Sequence, residues 1–99
     1  MDPLRGKQRR FLRGLGHHLD PVVQVGKEGI SDGLVGATEA ALEQHELIKV
    51  RVGENAGDDR HDIAGELATR TGSALVQVLG RTFLLYKARP EEPTIKLPS

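Results

Sequence analysis

Apolar positions recur along this chain in two rhythms, and their alternation lays out its elements. From Leu4 to Leu19, the residues Leu4, Gln8, Phe11, Leu12, Leu15 and Leu19 fall on one side of an amphipathic helix. Pro3 suits its first turn, Gly14 and Gly16 weaken its last part, and Asp20-Pro21 breaks it, since the residue before proline is pushed out of the helical region. Val22–Val25 reads as a short strand. A second helix follows from an N-cap at Ser31 to about Gln44, with Asp32 at its positive end and Leu34, Thr38, Ala41, Leu42 and His45 along one side.

Period-two spacing returns at Leu47–Val52, which places Ile48, Val50 and Val52 inward and Lys49 and Arg51 outward. The polar loop 53–59 ends in Asp58 and Asp59, either of which can cap a third helix built on Ile63, Ala64, Leu67 and Ala68 and stopped at Thr71-Gly72. Ala74–Leu79 and Thr82–Lys87 form two strands around a turn at Gly80-Arg81. The order α-β-α-β-α-β-β predicts a single α/β (α+β) domain over residues 1–88, with a four-stranded mixed sheet and helices on at least one face. Pro90, Pro93 and Pro98 predict that residues 89–99 form an extended or mobile tail.

Ninety-nine residues suffice for one modest core. With three aromatics among 37% apolar residues, that core rests on aliphatic side chains. Phe11 and Phe83 read as core, which leaves Tyr86 as the one aromatic available for stacking on a base. No stretch approaches the ~18 consecutive apolar residues of a membrane span, and MDPLRGKQRRFLRGL lacks the apolar centre of a secretory signal. The absence of cysteine excludes disulfides and thiolate metal sites and fits a cytoplasmic protein.

Net charge is zero, but its distribution is not even. Residues 1–13 carry Arg5, Lys7, Arg9, Arg10 and Arg13 against Asp2, a balance of +4; residues 28–72 carry ten acids against four bases, a balance of −6. One end of the molecule is therefore expected to meet an anion. Arg5, Arg9 and Arg13 step by four along the first helix, a like-charge arrangement that costs roughly 0.2–0.5 kcal/mol per pair.

The stretch VVQVGKEGI places Gly26, Lys27, Glu28 and Gly29 between a strand and a helix start. Backbone N–H groups there are free and the helix dipole favours an anion. Glycine lets a ligand approach the backbone, and Lys27 adds a positive charge, which Glu28 opposes. Taken alone, the spacing fits a plain turn as well as a phosphate clamp. A second glycine pair at the same spacing, Gly33 and Gly36, lies within the predicted helix. Lys49, Arg51 and Arg81 could extend a phosphate track.

Three stretches, KQRRFLRGLGHHLDPVVQVGKEGIS, ALEQHELIKVRV and TGSALVQVLGRTFLLYK, run in order over roughly residues 4–88. In them the chain resembles the YhbY-type RNA-binding proteins, whose domain is called the chloroplast RNA splicing and ribosome maturation (CRM) domain. The resemblance implies a fold like the C-terminal domain of translation initiation factor three. It also implies RNA contact at Gly26, Lys27, Glu28 and Gly29 and at the basic first helix, and a role with precursors of the large ribosomal subunit.

The remaining chemistry is sparse. His17, His18, His45 and His61 show no metal-ligand spacing, and HELIK is not H-E-x-x-H. His45-Glu46, at a helix-to-strand junction, has no evident nucleophile to serve and reads as a satisfied boundary pair. The expectation is a non-enzymatic, monomeric RNA-binding protein without cofactor or membrane. Its contacts are Arg5, Arg9, Arg10, Arg13, the Gly26–Gly29 loop, Lys49, Arg51 and Arg81, reading backbone and shape rather than base sequence. The alternative is a protein-interaction module whose basic helix docks on an acidic ribosomal or assembly-factor surface.

Overall fold

The computed structural model describes residues 3–99. Its elements are α1 (Gly6–Gly16), β1 (Pro21–Val25), α2 (Asp32–His45), β2 (Leu47–Val52), α3 (Arg60–Thr71), β3 (Ala74–Leu79) and β4 (Thr82–Tyr86). The strands form one mixed sheet in the order β1-β2-β4-β3, with β1 parallel to β2 and the other pairs antiparallel. The expected order and mixed four-stranded sheet are present.

Local chemistry sets the boundaries. Ser31 Oγ accepts from the Leu34 N–H at 3.1 Å and caps α2; Asp59 accepts from the His61 N–H at 2.8 Å and caps α3. Gly72 ends α3 in the left-handed region, φ 66°, and Lys87 Nζ donates to the Thr71 carbonyl at 3.0 Å. α1 is shorter than the apolar pattern predicts and starts with the Arg5 N–H donating to Gln8 Oε1 at 3.0 Å.

Helices cover both faces of the sheet. α2 and α3 bury Leu42, Ile63, Ala64, Leu67 and Ala68 against Val23, Val25, Ile48, Val50, Val52, Phe83 and Leu85. On the opposite face Leu12 of α1 packs with Leu47, Val76, Leu84 and Tyr86, joined by Leu4, Leu19, Ile95 and Leu97. The central strands β2 and β4 are thus buried on both sides, which is why TFLLY is apolar without alternation.

Two aromatic assignments are reversed. Tyr86, expected to be available for stacking, is only 2% exposed, because α1 and the tail cover its face. Phe11, expected in the core, is 40% exposed, because α1 turns Leu12 and Gly16 toward the sheet instead. Residues beyond Ala88 form no helix or strand, yet Ile95 and Leu97 pack against the α1-side core and Gln8 Nε2 donates to the Pro98 carbonyl at 3.1 Å.

Candidate nucleic-acid interface

The strand register gathers several cations at one end of the sheet. Val25 pairs with Val52, Gln24 with Arg51, and Arg51 with Thr82. The Gly53 N–H donates to the Val25 carbonyl at 2.8 Å and the Val52 N–H to the Arg81 carbonyl at 2.7 Å. The loop after β1, which carries Lys27, therefore neighbours the end of β2 with Arg51 and the β3–β4 turn with Arg81. All three residues are exposed. Lys49 is half-buried on the α1 side of the sheet floor, opposite Leu84.

The Gly26–Gly29 loop closes with the Gly29 N–H donating to the Gly26 carbonyl at 3.0 Å, and Gly29 is left-handed at φ 69°. Gly29 is thereby explained by its turn. Gly26 is not, because its φ is not positive and a Cβ there would meet nothing within 4 Å. An open hollow beside the loop is lined by Gln24, Gly26, Lys27, Glu28, Gly29, Ser31 and Leu34. Arg70 braces the loop's far side, donating to the Ile30 carbonyl at 3.1 Å and to the Asp32 carboxylate at 3.0 Å.

Along α1, Arg5, Lys7, Arg10 and Arg13 are exposed. Arg9, expected among the phosphate contacts, is half-buried and held differently from these exposed cations. Its Nη1 donates to the carbonyls of Leu75 at 2.5 Å and Val76 at 3.1 Å, at the irregular register of the edge strand β3. The unpaired carbonyls of an edge bulge need donors, and Arg9 supplies them. The molecule's charges separate by face. Among the described residues, the ion pairs are His61–Asp59, Arg70–Asp32 and Arg70–Glu66, all on the α2–α3 side. Arg5, Lys7, Arg10, Arg13, Lys27, Lys49, Arg51 and Arg81 pair with no carboxylate there. Sequence reasoning did not set Lys7 and Phe11 apart; both are exposed and stand at i,i+4 spacing with exposed Leu15.

His45 is exposed, whereas Glu46 is fully buried and accepts from the backbone of Arg89, Thr94 and Ile95. The pair does not form a shared exposed acid–base site. No group of three or more His, Cys, Asp or Glu is placed to hold a metal among the described residues, and no helix there is long and apolar enough to cross a membrane.

A small α+β domain with a cation-bearing helix on one face and an acidic helical layer on the other is a recognisable architecture. The chain belongs to the CRS1 / YhbY (CRM) domain family, whose model matches residues 4–87. It is 47% identical over 95 residues to the probable RNA-binding protein YqeI of Bacillus subtilis, covering 96% of this chain and 99% of that one. A Haemophilus influenzae relative named as an RNA-binding protein is 44% identical over 101 residues, covering 99% and 98% of the two chains. The solution structure of the hypothetical protein SAV1595 of Staphylococcus aureus matches with a TM-score of 0.82 at 43% identity, covering 97% of this chain and all of that one.

Proposed function

We propose that this protein binds RNA without catalysing a reaction, and that its target is ribosomal RNA in precursors of the large subunit. The observation that carries the reading is the charge separation: among the described residues, cations of α1 and of the sheet end lack carboxylate partners, while the ion pairs lie on the other face. Such groups are placed to neutralise phosphates and release their counterions. Arg5, Arg10 and Arg13 act along α1, Lys27, Arg51 and Arg81 at the sheet end, and Lys49 on the floor between them. Gly26 leaves the backbone open to a phosphate at the start of α2, with Glu28 limiting how much negative charge the loop tolerates. The protein acts as a monomer in the cytoplasm, and the names of its relatives support RNA as its partner.

Crosslinking in cells followed by sequencing of the attached RNA tests the target. Recovery of precursor ribosomal RNA is expected, and recovery without preference would refute that part. A salt titration tests the mechanism. Affinity should fall steeply with salt, and Lys27→Ala should flatten the log–log slope by about one unit. Affinity indifferent to both would refute the electrostatic reading, and a protein partner retained after nuclease treatment would favour docking instead.

A further inference from the structure

α1 covers only part of its sheet face. Beside it lies an open cavity of about 430 Å³ lined by Leu15, Leu19, Val22, Leu47 and Ile95, with Asp20, His45 and Lys49 also on its walls. Leu15 is 41% exposed and Val22 52% exposed, and Phe11, 40% exposed, sits one helical turn before Leu15. Lys7 lies one turn earlier, so Lys7, Phe11 and Leu15 form one line leading to the cavity. Single exposed apolar residues are ordinary, but a contiguous apolar strip that opens into a groove marks a binding surface. Its far wall is fixed, because the Glu46 carboxylate holds the Thr94 and Ile95 amides at 2.7 and 2.9 Å.

We infer that this groove seats an unstacked base of the bound RNA, so that the protein prefers unpaired RNA to duplex. The inference rests on the RNA-binding reading and names its substrate class. A nucleobase has apolar faces and polar edges. The aliphatic walls suit the faces, and the Asp20 carboxylate, His45 and the Lys49 ammonium offer an acceptor and donors to the edges. The charge pattern selects RNA over an apolar protein segment. A base arrives with its phosphate attached, and Lys7 stands along the approach with no carboxylate partner among the described residues. An apolar segment would fill the groove and leave that cation unmatched. Phe11 offers an exposed ring to a neighbouring base, the role that buried Tyr86 cannot take. A duplex keeps its bases stacked and shows this groove only sugar and phosphate.

The test uses the full chain with methyl labels, titrated with a short mixed-sequence single-stranded RNA and with a duplex of the same sequence. The methyl groups of Leu15, Val22 and Ile95 should shift with the single strand and not with the duplex. Leu15→Ser and Val22→Thr change exposed positions, and an unchanged amide spectrum confirms that each variant folds. Each should bind the single strand about tenfold more weakly, the lower part of the range for one docked base, with the salt slope unchanged. Normal RNA binding with unmoved methyl groups and unaffected variants would overturn the groove inference alone. Absence of RNA binding altogether would overturn the underlying reading and this one with it. Groove methyl groups that shift only with a protein partner would also overturn it.

Discussion

The Glu46 carboxylate and the Thr94 hydroxyl, 48 positions apart in the chain, meet at 2.6 Å. Glu46 Oε1 also accepts from the Thr94 N–H at 2.7 Å and the Ile95 N–H at 2.9 Å, and Oε2 from the Arg89 N–H at 2.9 Å. The residue is fully buried and ends α2 at φ 64°, ψ −44°, a conformation that costs a side-chain-bearing residue roughly 1–3 kcal/mol. Glycine would remove that strain but could not bind four donors. The HEL corner is thus a fastening for the C-terminal segment, and through Ile95 it shapes the groove beside α1.

Burial pushes the Glu46 carboxyl up, but the Thr94 hydroxyl and the N–H groups of Arg89, Ile95 and Thr94 outweigh it and lower its pKa from 4.5 to about 2. A folded-state pKa below the unfolded one contributes stability that is present above about pH 4.5 and lost as pH falls toward 2. Glu46→Gln should remove that dependence and cost roughly 1.5–3 kcal/mol at neutral pH. Urea denaturation at pH 7 and pH 3 measures both. A variant that kept the parent's loss of stability between them would assign the effect to another group.

Gly16 is buried against Leu84, and a Cβ there would fall on Leu84 Cδ1 and lie 2.7 Å from Cδ2. Gly16→Ala should therefore destabilise by about 1–3 kcal/mol through overpacking, despite alanine's better helix propensity. Combining it with Leu84→Ala should cost less than the two changes added, because each opens or fills the same space. Strict additivity in thermal unfolding would show that the helix does not rest on Leu84.

Gly16 also shows where the sequence stopped being legible. The strands and the α2 and α3 cores were readable because their apolar residues keep a period of two or follow one helical side. α1 misled because apolar Phe11 and Leu15 mimic a core face, whereas the contacting positions are Leu12 and a glycine whose value lies in lacking a side chain. The second core was hidden because Leu47, Leu84 and Tyr86 read as continuations of alternating strands. Cations could be counted in the sequence but not sorted. Nothing local distinguishes Arg9, turned onto β3 carbonyls 66 and 67 positions away, from exposed Arg13. Nor does any local signal link Glu46 to a tail more than 40 residues on.

That difference between two arginines is measurable. Arg9→Ala should lower stability by about 1–2 kcal/mol, since it orphans carbonyls at the β3 bulge, and leave the salt slope of RNA binding unchanged. Arg13→Ala should leave stability within about 0.5 kcal/mol and flatten the slope on single strands by about 0.7. With Arg9 left out of the count, Arg5, Arg10, Arg13 and Lys27 make four phosphate contacts instead of five, so the parent's own slope on single strands should be about −2.8 rather than about −3.5. Unfolding curves and salt titrations of the two variants should therefore give opposite patterns. Equal flattening by both would return Arg9 to the RNA surface.

Gly14 is exposed within α1, with nothing within 4 Å of where a Cβ would stand, so no packing requires it. Gly36 is in the same situation within α2, on the acidic side. Either glycine costs its helix about 1 kcal/mol relative to alanine. Gly14→Ala and Gly36→Ala should each raise stability by about that amount, visible as a midpoint roughly 4–8 °C higher for a domain of this size. Their effects on binding should differ. Gly14 lies one helical turn after Arg10 and on the same side as Lys7, so on the proposed reading that phosphates gather at those side chains an added methyl group there should weaken RNA binding several-fold. Gly36 faces no such approach, and its variant should bind as the parent does. Two variants equally stabilised and equally able to bind would show that RNA does not cross α1 at Gly14, and would shift its path toward the sheet end marked by Lys27, Arg51 and Arg81.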